Sequence, residues 1–86
     1  MDLALSSRTY IVSGGSKGLG LATAEALVDE GANAVLLSRD ESRLQAVCER
    51  LGTAAIGLPG DLEDPELAQR AISVAHDHFG RLDGAL

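Results

Sequence analysis

The sequence has little of several residue types, and each scarcity excludes a class of protein. Its 86 residues include one cysteine, Cys48, so neither an intramolecular disulfide nor a cysteine cluster for zinc can form. Seven basic residues against thirteen acidic ones give a net charge of −6, which makes nucleic acid a poor partner. No apolar run approaches the roughly 20 residues that a membrane-spanning helix needs, and the first residues lack the features of a signal peptide. The predicted setting is the reducing cytoplasm, away from membranes.

The apolar residues that are present alternate between strand and helix patterns. With no Trp, one Phe and one Tyr, the apolar content of 45% rests on Ala, Leu and Val, which suits an α/β protein. Predicted strands cover residues 9–13, 33–38 and 54–58, predicted helices cover 17–30, 41–51 and 65–79, and a fourth strand begins near 82 and is cut short at Leu86. This βαβαβαβ order with short connections predicts a Rossmann-type, doubly wound parallel sheet, as one partial domain over residues 1–86.

The helices also carry signals for their starts and their buried faces. Asp40 and Asp64 stand where N-caps are expected, and Pro65 suits the first position of the third helix. Residues 1–7 before the first strand are predicted to form a short leader. Apolar spacing predicts that two groups of side chains face the sheet: Ala22, Ala26 and Leu27 in the first helix, and Ala68, Ala71, Ile72, Ala75 and Phe79 in the third.

The most informative stretch is the turn between the first strand and the first helix. Gly14 permits a tight turn, Gly18 lets the backbone approach a pyrophosphate, and Gly20 lets the helix pack closely. The free N–H groups and the positive dipole end of the helix then face the anion. The predicted phosphate-binding residues are Gly14, Ser16, Lys17, Gly18, Leu19 and Gly20.

The end of the second strand predicts which dinucleotide binds. When NAD is bound, an acidic residue about 20 positions after the glycines holds the ribose 2′-hydroxyl. Here that position is Ser38, and Arg39 follows it. A hydroxyl and a guanidinium suit a 2′-phosphate, and Lys17 adds positive charge nearby. NADP is therefore the predicted cofactor; Asp40 keeps NAD as the less favoured alternative, and Arg39 as a simple loop cation is another interpretation.

The glycine spacing resembles that of a known family. Ser13 followed by glycines at 14, 18 and 20 is similar to the T-G-x-x-x-G-x-G signature of the short-chain dehydrogenase/reductase family, with Ser in place of Thr. The resemblance covers residues 8–86, which correspond to the cofactor-binding half of that fold. It implies an NADP-dependent oxidoreductase that acts on a small carbonyl or alcohol substrate and forms homo-oligomers when it is full length.

Two further segments resemble the same family. Asp61-Leu62 is similar to the family's adenine contact, in which the carboxylate accepts a hydrogen bond from the amino group and the apolar residue backs the ring. The alternative is that Asp61 only satisfies backbone N–H groups of its own loop. The run from Phe79 to Asp83 resembles the family's entry into the fourth strand, where an Asp stabilises the central sheet.

The residues that the family uses for catalysis have no counterpart in this sequence. The family depends on a Tyr-x-x-x-Lys pair together with a Ser and an Asn. The only tyrosine is Tyr10, and Gly14 stands four residues later. No catalytic residue is therefore assigned, and a truncated, non-catalytic nucleotide-binding module or an interaction fragment is the alternative function. The bare second face that this topology predicts for the sheet leads us to expect a truncated chain.

Two other kinds of site are possible and are not favoured. Gly14–Gly18 fits the G-x-S-x-G elbow of serine hydrolases. The only candidate bases, His76 and His78, lie on different faces at the end of the third helix, and too little chain follows them to complete a triad. Metal ligands are too few and unsuitably spaced, so no metal site is predicted.

Overall fold

A four-stranded parallel sheet runs through the computed structural model of the protein, which describes residues 6–86. The strands are β1 (Thr9–Ser13), β2 (Asn33–Ser38), β3 (Ala55–Pro59) and β4 (Gly84–Ala85). The helices are α1 (Gly18–Asp29), α2 (Glu41–Leu51) and α3 (Pro65–Val74), with a 3₁₀ turn at Gly52–Ala54 and a π-helical turn at Ala75–Phe79. The strand order β3-β2-β1-β4 confirms the predicted α/β architecture. The first five residues of the predicted leader lie outside the described residues.

The two faces of the sheet are covered by different helices. Alternate side chains of a strand point to opposite faces, so β1 and β2 contribute to two separate cores. Val12 and Leu36 lie in the core that α1 and α2 cover. Ile11 and Leu37 lie in a second core against α3. This arrangement follows from right-handed crossovers, because the chain reverses its direction of progress across the sheet between β3 and β4.

The buried face of α1 differs from the prediction. Of the three residues expected to face the sheet, Leu27 is buried as predicted, whereas Ala22 and Ala26 are exposed; Ala24, which was not predicted, is buried. The reason is the close approach of Gly20 to the turn before it, which sets the rotation of the helix. The face of α1 that packs inward then follows positions 20, 24 and 27, at i, i+4 and i+7, with Ala24 and Leu27 buried.

The buried face of α3 agrees with the prediction in part. Leu67, Ala71 and Ala75 are buried at intervals of four residues, and Phe79 packs against the same core. The predicted Ala68 and Ile72 are exposed instead. They line the rim of an apolar groove of ≈ 310 Å³ between α3 and the sheet. Of the five residues predicted to face the sheet, Ala71, Ala75 and Phe79 are thus confirmed, and Ala68 and Ile72 are wrong.

Both predicted N-caps are confirmed. The Asp40 side chain accepts a hydrogen bond from the Arg43 backbone N–H at 3.0 Å, and Asp64 accepts one from Glu66 at 2.9 Å. Each bond satisfies a first-turn donor that has no partner within the helix. Pro65 stands at the start of α3, where its missing N–H is not needed.

Asp83 holds the segment just before β4 against β1. Its Oδ2 accepts a hydrogen bond from the Thr9 backbone N–H at 2.8 Å, and its own N–H donates to the Thr9 carbonyl at 2.8 Å. Arg81 donates to both oxygens of the same carboxylate, at 2.8 and 2.7 Å. Asp83 therefore occupies the position that the family resemblance implied, where it stabilises the sheet.

These contacts predict a dependence of stability on pH. The hydrogen bonds from Arg81 and from the Thr9 backbone hold the pKa of Asp83 below its ordinary value of 3.8. A carboxylate whose pKa is depressed by folding stabilises the protein above its ordinary pKa, and this contribution disappears as the pH falls through the folded pKa. Asp83→Asn is therefore expected to lower the thermal midpoint most at neutral pH. The difference from wild type should shrink below pH 3.8.

Thermal unfolding of both proteins by circular dichroism, from neutral pH to about pH 2, measures this difference. Asp61, whose pKa is also lowered, is present in both proteins, so its titration cancels in the comparison. A difference that stays constant over the whole pH range would show that the charge of Asp83 is not what stabilises the sheet.

Candidate functional site

The predicted site residues meet in a cleft of ≈ 720 Å³ at the carboxyl ends of β1, β2 and β3. Parallel pairing explains why they meet: Ser13 is in register with Leu37, and Ser38 with Pro59. The cleft is lined by three segments: the glycine turn with Gly14 and Ser16–Gly18, the end of β2 with Ser38–Asp40, and the loop after β3 with Asp61–Glu63. In open α/β sheets, ligands bind in the crevice outside these strand ends.

Eight of the ten predicted residues line this cleft, and Leu19 and Gly20 do not. Leu19 follows the glycine turn but is 84% exposed. Leu19 and Gly20 line a neighbouring groove together with Ser13 and Thr23. Glu63 also lines the cleft but was not predicted from the sequence. The only indication was its position two residues after Asp61.

The glycine turn has the backbone that the motif predicts. Gly14 and Gly18 adopt positive φ angles of 70° and 60°, a region that residues with a Cβ rarely occupy. A Cβ at Gly20 would lie 2.2 Å from the Gly14 carbonyl oxygen, so only glycine fits there. Gly20 therefore packs against the preceding turn itself, and this contact fixes where α1 begins.

The amino end of α1 opens onto the cleft at Gly18. Lys17 occupies the N-cap position without a capping bond from its side chain, and the first turn contains no acidic residue. The positive end of the helix dipole therefore meets no side-chain carboxylate of its own first turn. Together with the backbone of the glycine turn, this arrangement suits a phosphate group.

A buried hydroxyl pair joins two segments of the cleft. The Oγ atoms of Ser16 and Ser38 are 2.7 Å apart, and the two residues are only 2% and 6% exposed. The Asp40 backbone N–H also donates to Ser38 Oγ, at 3.1 Å. Ser38 thus holds the glycine turn to the end of β2. Its predicted contact with a 2′-phosphate stays a prediction, as does the phosphate contact of Ser16.

An ion pair joins the end of β2 to the loop after β3. Arg39 Nη2 lies 2.9 Å from Asp61 Oδ1, with the two side chains 72% and 51% exposed. The Glu63 backbone N–H donates to the same Asp61 oxygen at 2.9 Å. This bond, followed by the one from Arg39, lowers the pKa of Asp61 below its ordinary value. The loop contact that was the alternative role for Asp61 is therefore present, and the adenine contact stays a prediction.

The charges around the cleft are mixed. Lys17 and Arg39 contribute positive charge, and Asp40, Asp61 and Glu63 contribute negative charge. Within residues 6–86, no group of three or more His, Cys, Asp or Glu side chains is placed to hold a metal ion. No helix in this part of the chain is long and apolar enough to cross a membrane. Neither histidine lines the cleft, so the elements of a hydrolase triad are not brought together there.

Comparison with known proteins defines the class. Residues 8–85 match the family model described as short chain dehydrogenase. Because the match spans almost the whole chain and agrees with the fold and the glycine turn, the chain belongs to the short chain dehydrogenase family. Members of this family are oxidoreductases that bind a nicotinamide cofactor.

Individual relatives place the chain within that family. It is 42% identical over 76 residues to human (Homo sapiens) 3-hydroxyacyl-CoA dehydrogenase type-2, a match that covers 88% of this chain and 29% of the relative. It is 42% identical over 79 residues to L-fucose dehydrogenase of Rattus norvegicus, a match that covers 91% of this chain and 28% of the relative. The chain thus spans less than a third of the length of these curated relatives.

Solved structures show the same likeness. A short-chain dehydrogenase/reductase from Brucella melitensis, described as a glucose/ribitol dehydrogenase, superposes with a TM-score of 0.90 at 29% identity, over 99% of this chain and 37% of that one. A 3-ketoacyl-(acyl-carrier-protein) reductase from the same organism, complexed with NADH, gives a TM-score of 0.87 at 25% identity over 94% and 34%.

Proposed function

We propose that this chain is the NADP(H)-binding part of an oxidoreductase that acts on a carbonyl or alcohol substrate. The observation that carries the proposal is the meeting of Arg39 and Lys17 with the glycine turn in one cleft. The last residue of β2, where an acid would favour NAD, is the buried Ser38. Family membership supports the reaction type.

The residues of the cleft fit the parts of the dinucleotide. The backbone of Gly14 and Gly18 and the amino end of α1 would hold the pyrophosphate, with Leu19 and Gly20 completing the turn. A Cβ at Gly20 would displace the Gly14 carbonyl, so the turn keeps this shape only with glycine there. The bound nicotinamide would supply the hydride transfer.

Two further contacts follow for the adenosine end. Arg39 presents several rigid donors, which match phosphate oxygens, and Lys17 adds a second positive charge. Asp61 and Leu62 would contact the adenine, as their place in the cleft allows. Exposed Leu62, with 48% of its surface accessible, would bury part of that surface against the ring.

Equilibrium titration of the full chain with NADPH and with NADH, followed by nicotinamide fluorescence, tests the proposal. We expect NADPH to bind at least about tenfold more tightly, because a charge-assisted hydrogen bond contributes about 1.5–3 kcal/mol and tenfold corresponds to about 1.4 kcal/mol. Equal affinities would contradict the assignment of NADP. The absence of saturable binding for either ligand would contradict a dinucleotide site altogether.

A further inference from the structure

The ion pair between Arg39 and Asp61 bears directly on cofactor choice. Its two partners follow different strands, yet their separation is set by the fold. Ser38 is in register with Pro59, and the Gly60 backbone N–H donates to the Ser38 carbonyl at 2.9 Å. Arg39 follows Ser38 and Asp61 follows Gly60, so the two side chains face each other across the cleft. Arg39 Nη2 lies 2.9 Å from Asp61 Oδ1.

The carboxylate of this pair is held by its own loop. The Glu63 backbone N–H donates to Asp61 Oδ1 at 2.9 Å, so the oxygen that contacts Arg39 is oriented independently of the arginine. Both side chains are largely exposed, at 72% and 51%, and an incoming ligand can reach them. Arg39 thus already has an anionic partner at the place where a 2′-phosphate would bind.

We infer that Asp61 is a specificity-determining residue that competes with the 2′-phosphate of the cofactor for Arg39. The inference rests on the proposed function. A phosphate that reaches Arg39 must share the guanidinium with the Asp61 carboxylate or replace it, and it lies close to a second negative charge in either case. A dinucleotide with a free 2′-hydroxyl presents no such competitor and leaves the ion pair in place. Asp61 therefore narrows the preference for NADP over NAD that Arg39 creates.

Asp61→Asn separates the charge of this side chain from its shape. The asparagine oxygen can still accept the Glu63 N–H and an adenine amino group, but it no longer forms an ion pair with Arg39. Isothermal titration of the full chain with NADP⁺ and with NAD⁺ measures the affinity ratio. We expect the ratio to rise about 3- to 10-fold in favour of NADP⁺, a range set by the modest strength of exposed ion pairs and by the lost repulsion. The affinity for NAD⁺ should change less than about twofold.

Glu63→Gln is the matched control. Glu63 lines the same cleft and carries the same charge, but among residues 6–86 it forms no ion pair with Arg39. We expect it to change the ratio less than about twofold. A second comparison uses Arg39→Met, in which the further change Asp61→Asn should raise the ratio less than it does in the wild-type chain, because the competition for Arg39 no longer exists and only the repulsion between Asp61 and the phosphate is removed.

Each outcome decides between the alternatives. An equal rise in Glu63→Gln would overturn the inference, because the effect would then come from the net charge of the cleft. An unchanged ratio in Asp61→Asn, in a wild-type chain that binds NADP⁺ tightly, would overturn the inference and leave the proposed function standing. A wild-type chain with no saturable binding of either dinucleotide would overturn both.

Discussion

The Arg39→Asp variant is expected to bind NADPH about 100-fold more weakly than the wild-type chain, while its affinity for NADH stays equal or rises. Two causes act together. The substitution removes charge-assisted hydrogen bonds to the 2′-phosphate, each of which contributes about 1.5–3 kcal/mol. It also places a carboxylate next to Ser38, the position at which NAD-binding proteins of this fold carry the acid that accepts a hydrogen bond from the free 2′-hydroxyl.

Fluorescence titration with both reduced cofactors measures the expected reversal. Arg70→Asp is the control for net charge, since Arg70 is exposed on α3 and does not line the cleft. Arg39→Met separates the two causes: it should lose the affinity for NADPH without gaining affinity for NADH. If Arg39→Asp kept the wild-type preference, Arg39 would be a loop cation that takes no part in cofactor selection.

Gly20→Ala is expected to lower the free energy of unfolding by about 2–3 kcal/mol and to weaken NADPH binding at least about tenfold. Two opposing effects decide the sign. Alanine is a better helix former than glycine by about 1 kcal/mol, which alone would stabilise α1. The new Cβ, however, would lie 2.2 Å from the Gly14 carbonyl oxygen and 2.6 Å from its carbon. Backbone atoms cannot rotate away as a side chain can, so the turn itself has to move.

Gly18→Ala is the informative comparison for this variant. Gly18 has a positive φ of 60°, but no atom lies within 4 Å of the place that a Cβ would take, so alanine there meets conformational strain without a clash. That strain costs about 1–2 kcal/mol. Urea denaturation of the three proteins should therefore rank them as wild type, Gly18→Ala and Gly20→Ala in order of falling stability. A Gly20→Ala chain as stable as wild type would mean that the turn is not tightly packed.

The sequence predicted the elements of this fold well because their signals are local. The caps Asp40 and Asp64 act within their own first turns, and the strands follow short apolar runs. The position of the cleft was predictable as well, because parallel strands bring their carboxyl ends to one edge of the sheet. What the sequence did not predict was the rotation of α1. Apolar residues occur around the whole of this helix, so periodicity could not distinguish Ala24 from Ala22.

The contacts inside the cleft were also beyond prediction. The Ser16–Ser38 hydroxyl pair joins residues 22 positions apart, and the Arg39–Asp61 pair joins two loops. Each depends on side-chain rotamers that composition and spacing do not specify. Arg39 and Asp61 were both expected to contact the cofactor, at different places, and nothing in the sequence indicated that they contact each other.

Because of these two contacts, the effect of a substitution at one residue of a pair depends on whether the other residue has already changed. Substitutions that share no contact usually have additive effects, whereas residues in contact do not. If Arg39 is substituted first, Asp61 loses its ion-pair partner. A substitution of Asp61 then has a different effect on cofactor preference from the same substitution in a chain that still has Arg39. Ser16 and Ser38 are coupled in the same way through one buried hydrogen bond. Epistasis in cofactor preference is therefore expected in these two pairs.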